Sequence, residues 1–134
     1  MNDGIIPPYE LRLQNELNKV SPNVYDRTDD IESLPESIGT KVLAVLVEFA
    51  CYSQNLTMIE LARNKIKTIP SNWLMKYFPE VAKKSINFED EWEYRRLLEL
   101  LSEATPILLK WGVELGVNST NEEVREAAED FKGQ

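Results

Sequence analysis

Histidine is missing from all 134 residues, and with it go the commonest general base, the commonest metal ligand and every Ser-His or Cys-His nucleophile pair. Cysteine occurs once, as Cys51, so no internal disulfide can form and a disulfide-stapled secreted scaffold is excluded. Glycine is scarce at five residues, and no G-x-G-x-x-G or G-x-x-x-x-G-K-[ST] phosphate loop can be assembled from them. No stretch approaches the roughly 18 apolar residues of a membrane span. Residues Met1 to Pro8 hold no basic segment followed by an apolar one, so a cytoplasmic location without a membrane partner is expected.

What is present suffices to fold. Leu, Ile, Val and Phe number 16, 9, 9 and 4, well above the roughly one-fifth share below which chains stay disordered. The length suits a single domain over residues 1–134 with one core. Acidic residues number 23 against 15 basic ones, giving a net charge of −8, which disfavours phosphate backbones and anionic membranes as partners. The charge is unevenly spread: −5 over residues 1–40, +4 over 41–86 and −7 over 87–134.

The apolar spacing is helical throughout. Tyr9, Leu13, Leu17 and Val20 form one stripe, which predicts an N-terminal helix over 7–20. Residues 21–32 lack a helical period and are rich in turn formers, so a mobile loop with at most a short helical turn is expected there. From residue 33 to 131 a helical core is predicted. Ser33-Leu34-Pro35-Glu36 has capping-box spacing, and the run from Lys41 to Tyr52 that follows is apolar on nearly every side, the mark of a helix surrounded by others. A buried strand over 42–47 is the rival; the longer spacing Leu34, Ile38, Val42, Val45, Phe49 favours helix.

Thr57-Met58-Ile59-Glu60 repeats the capping-box pattern. Residues 72–84 read as helix, with Pro79 expected to kink or split it. Asn87 and Asp90 mark the next start, and residues 88–104 place Phe88, Trp92, Tyr94, Leu97, Leu98 and Leu101 on an inner face. Pro106 opens a shorter helix that Gly116 is expected to end in the left-handed conformation. Ser119 or Thr120 then caps a last helix with Val124, Ala127, Ala128 and Phe131 inward. These readings predict an all-α single domain of about six to seven helices, as an irregular bundle or stacked αα-hairpins. Asn121 to Ala128 is similar to the start of a helix in HEAT-type α-hairpins, but the pattern does not recur.

Few chemical constellations survive. Asp90 with Glu93, Glu99 with Glu103, and Glu123 with Glu126 and Glu129 have the helical spacing of Mg²⁺-binding carboxylates. All-α nucleotide pyrophosphatases pair Glu-x-x-Glu and Glu-x-x-Asp motifs on successive helices, and here the second motif is missing. Cys51, among Phe49, Ala50 and Tyr52, reads as core. Arg63, Lys65, Lys67, Lys76, Lys83 and Lys84 make a basic middle. A helix-turn-helix there fails on the long, glycine-free turn from Asn64 to Pro70, and balance against the acidic ends is the favoured reading. Trp73, Trp92 and Trp111 read as core, any one at a stripe's edge being a partner contact.

By elimination the sequence points to a non-enzymatic protein-interaction module without cofactor or metal, taking a basic protein partner as immunity or antitoxin-like proteins do. The expected partner-binding residues are Glu89, Asp90, Glu91, Glu93, Glu99 and Glu103, the acidic run at the start of one helix and its continuation. The alternatives are a carboxylate- and Mg²⁺-dependent hydrolase, and a nucleic-acid binder using the basic middle.

Overall fold

The chain winds into seven α-helices and three 3₁₀ turns, with no strand among the described residues, which are 6–133 of a computed structural model. The ends of the expected 1–134 domain therefore lie outside the described residues. Helix α1 spans Pro8–Val20, α2 Glu36–Tyr52, α3 Leu56–Lys67, α4 Ser71–Ser85, α5 Glu91–Ala104, α6 Leu109–Gly116 and α7 Glu122–Phe131. The segment 42–47 is helical. None of these helices is long and apolar enough to cross a membrane.

Helix α2 is the axis of the N-terminal part. It buries Val42, Leu43, Leu46, Val47, Ala50 and Cys51 against α1, α3, α4 and α5, leaving Lys41 and Glu48 exposed. Helix α5 has two apolar sides. Tyr94, Leu97, Leu98, Leu100 and Leu101 are buried, and α5 lies between α2 and α3 on one side and α6 and α7 on the other. The two central helices thereby share one continuous core.

Residues 21–32 hold more regular structure than the turn-rich composition suggests. They form 3₁₀ turns at Val24–Asp26 and Thr28–Ser33, with Val24, Tyr25, Thr28 and Ile31 buried. Asn23 takes the left-handed conformation at φ 65°, which asparagine tolerates better than most residues. Tyr25, Thr28 and Ile31 recur every three residues, the 3₁₀ period, so a search for 3.6-residue spacing passes over them. The Thr28 and Thr68 hydroxyls share a hydrogen bond at 2.6 Å that ties this segment to the end of α3.

Several helix ends differ from expectation in who caps them. Ser33 does not cap α2; its hydroxyl donates back to the Asp30 carbonyl at 2.8 Å, and the extended Leu34 places Pro35 at the helix entrance without a side-chain cap. Asn55, not Thr57, caps α3 by accepting from the Met58 amide at 3.1 Å. Asn121, not Ser119 or Thr120, caps α7 by accepting from Glu123 N–H at 2.9 Å. In each of the last two cases an asparagine close by outcompetes the hydroxyl. Asp90 caps α5 by accepting from Glu93 N–H at 3.0 Å. Pro79 does not split α4, and Met75, whose carbonyl loses its donor, sits on the exposed side.

Gly116 is not left-handed: the only positive-φ glycine among the described residues is Gly133. Its role is space. A methyl group at 116 would overlap the Tyr94 ring, and one at Gly112 would meet Leu101 and Leu98. The buried Tyr94 hydroxyl donates to the Gly112 carbonyl at 2.7 Å, and burial pushes its pKa up to about 12. Trp92 also departs from expectation. It is exposed, because the buried stripe Tyr94, Leu97, Leu98, Leu101 has a register that excludes position 92.

Overpacking of this kind costs about 1–3 kcal/mol. Gly116→Ala is therefore expected to lower unfolding stability by that amount in urea titration with the slope unchanged. An unaltered midpoint would show that α6 can move away from Tyr94 freely.

Candidate functional site

All six residues expected from the sequence to bind a partner have intramolecular partners. Glu89 accepts from the Ser119 hydroxyl, and its carbonyl accepts from the Asn121 side chain at 2.9 Å. Asp90 caps α5, and Glu93 accepts from the Asn87 amide at 3.0 Å. Glu91 pairs with Arg95 at 3.2 Å, and Arg95 reaches Asp130 of α7 at 3.0 Å. Glu99 and Glu103 face α3, where both meet the buried Arg63, at 2.6 Å and 3.3 Å. The six are thus divided between the α7 side, the entrance of α5 and the α3 side of one helix.

The Arg63 cluster accounts for part of the charge imbalance along the chain. Glu99 also meets Arg96 at 2.8 Å, and Glu103 meets Lys67 at 3.6 Å. Elsewhere in the basic middle, Lys65 lies 3.8 Å from the centre of the Tyr25 ring and Lys83 pairs with Glu80 at 3.9 Å. Burial alone would raise the Glu99 carboxyl, but hydrogen bonds from Arg63 and Arg96 outweigh it and hold the group below its usual value. Cys51 is buried, and burial pushes its thiol up to about 12. Among the described residues no group of three or more Cys, Asp or Glu side chains is placed to hold a metal ion.

A different surface stands out where three helix ends meet. Helix α2 stops at Tyr52 and α3 starts at Leu56. The corner between them, with Arg12 and Phe49, lines a groove of about 690 Å³. Tyr52 also borders a hollow of about 300 Å³ whose other walls are Gln54, Asp90, Trp92 and Glu93. Tyr52 is 48% exposed, Trp92 38% and Leu56, at the corner, 62%. Single exposed apolar residues are ordinary. Two large aromatics on one hollow beside an open groove form a patch of the composition that partners select.

The rings are held in place. The Tyr52 hydroxyl donates to the Ser85 carbonyl at the end of α4, and burial together with the Glu93 charge raises its pKa. The Arg96 guanidinium lies 4.1 Å from the centre of the Trp92 ring, and Arg12 lies 5.6 Å from that of Phe49. Of this surface the sequence marked only Trp92, Asp90 and Glu93. Tyr52 and Arg12 lie on different helices, and no local spacing links them. Comparison with protein-family models, curated proteins and solved structures finds no match for this chain.

Two outcomes follow from the buried groups. A carboxyl whose folded pKa is lowered stabilises the fold above its unfolded value, near pH 4.3, and loses that contribution as pH falls through the folded value. The stability gap between the parent chain and Glu99→Gln is expected to be full at neutral pH and to narrow below about pH 4, read by urea unfolding at several pH values. A gap independent of pH would mean that ionisation of Glu99 adds nothing. Cys51 is expected to resist thiol reagents in the native chain and to react on unfolding; native labelling at the unfolded rate would contradict its burial.

Proposed function

We propose that the protein is a non-enzymatic interaction module that binds a basic protein partner across the face carrying Tyr52 and Trp92. The observation that carries this reading is the pair of exposed, internally anchored aromatic rings on one hollow with Asp90 and Glu93. Anchored aromatics bind with little loss of rotamer entropy, and tryptophan and tyrosine dominate the energetics of interfaces. The net charge of −8 adds steering, because opposite charge speeds encounter more than it tightens the final complex.

On this reading the acidic residues divide in function. Glu89, Asp90, Glu91 and Glu93 give the entrance of α5 its negative field while bonding internally, whereas Glu99 and Glu103 are neutralised by Arg63, Arg96 and Lys67 and serve the fold. Shielding of a basic partner, as immunity or antitoxin-like proteins provide, is the role such a surface suits. A cytoplasmic setting accords with the single free thiol. The magnesium-hydrolase alternative has less support, because Glu99 and Glu103 are held by Arg63. The nucleic-acid alternative is weakened by the same network, which engages Arg63 and Lys67.

Photo-crosslinking in native cells tests the reading, with the reactive group placed at position 56 and, for comparison, at the exposed Ile107. The expected result is a basic protein captured from position 56. Its yield falls with added salt in extracts, and falls further, by about tenfold or more, in Tyr52→Ala and Trp92→Ala. No adduct at position 56, an acidic partner, or a yield indifferent to both variants would overturn it.

A further inference from the structure

We infer that the hollow between Tyr52 and Trp92 is a socket for one cationic side chain, a lysine or arginine of the basic partner. This inference rests on the docking face proposed above. The hollow measures about 300 Å³ and is lined by two aromatic residues, Tyr52 and Trp92, two acidic ones, Asp90 and Glu93, and Gln54. An aromatic face attracts a cation through its quadrupole, and the adjoining carboxylates add direct attraction. An apolar side chain seated there would strip water from Asp90 and Glu93 with nothing in return. An anion would meet two like charges. Of the side chains a partner can offer, a cation satisfies both kinds of wall at once.

Four of the walls are fixed before any ligand arrives. The Asp90 carboxylate is held by the Glu93 amide at 3.0 Å and the Glu93 carboxylate by the Asn87 amide at 3.0 Å. A carboxylate offers about four lone-pair positions, so each keeps capacity for a further donor. The Tyr52 ring is tethered through its hydroxyl to Ser85. Trp92 is braced by Arg96, which is itself held by Glu99 at 2.8 Å. Arg96 already takes one face of that ring, so an incoming cation uses the other face. Little order remains to be imposed on binding, which is what lets one side chain contribute measurably.

The test uses the full chain and three probes: hexalysine, hexaarginine and hexaglutamate peptides, followed through the indole N–H resonances of the three tryptophans. Hexalysine or hexaarginine is expected to move the Trp92 resonance saturably while Trp73 and Trp111 stay in place, and hexaglutamate is expected to do nothing. The stronger of the two basic peptides identifies the side chain. Glu93→Gln keeps an oxygen to accept from the Asn87 amide and removes the charge; it and Trp92→Ala should each weaken the basic peptide by about tenfold. An unchanged affinity in both variants, or a basic peptide that leaves Trp92 unmoved, overturns the socket. The docking face is judged separately by crosslinking from position 56: a partner captured there that is indifferent to Glu93→Gln sinks the socket and spares the face. Peptide binding at Trp92 with no partner captured does the reverse.

Discussion

Helix α2 is apolar over most of its circumference, with only a narrow stripe through Ser37, Lys41 and Glu48 in water, and a helix of that kind is stable only when neighbours cover the rest. That constraint organises the molecule. Helices α1, α3, α4 and α5 supply the cover. Tyr52, the last residue of α2, ends the exposed stripe; it keeps its hydroxyl on the end of α4 and leaves much of its ring in water. The groove and hollow around Tyr52 are therefore consequences of how the core is closed, since they occupy the corner that the covering helices leave open.

Helix α5 meets the same problem from two sides and uses charge to solve it. Its apolar residues face α2 and α3 on one flank and α6 and α7 on the other; Asp90 caps its entrance, Glu89 just before it braces the turn before α7 by accepting from Ser119 at its carboxylate and from Asn121 at its carbonyl, and Glu99 and Glu103 neutralise Arg63. A buried guanidinium without partners would be costly. Glu99 and Glu103 supply them. Part of what reads as an acidic surplus is therefore structural wiring, and Asp90 and Glu93 combine such wiring with a place on the aromatic hollow.

The helices were legible in the sequence because most follow a 3.6-residue stripe, and segment 42–47 resolves as helix for the reason its wider spacing suggested. What escaped has specific causes. The 3₁₀ turns of 21–32 keep a three-residue period in Tyr25, Thr28 and Ile31 that helical templates do not score. Capping residues were displaced by up to two positions because asparagine competes with serine and threonine for the same amides. Gly116 was read for its backbone freedom, whereas the structure uses its missing side chain to admit Tyr94. Of the candidate surface, Asp90, Glu93 and Trp92 were visible as local features. Their neighbour Tyr52 comes from a helix some forty positions earlier in the numbering, and only the fold brings them together.

The corner at Ser53–Asn55 has an evolutionary consequence. Gln54, Leu56 and Trp92 are exposed, and substitutions at exposed positions of this sort usually change stability by less than about 0.5 kcal/mol. The core volumes that enclose α2 are filled by other residues. Recognition and folding are thus written in separate sets of positions, so a lineage could exchange one binding preference for another by altering a few corner residues while the bundle beneath them stays as it is.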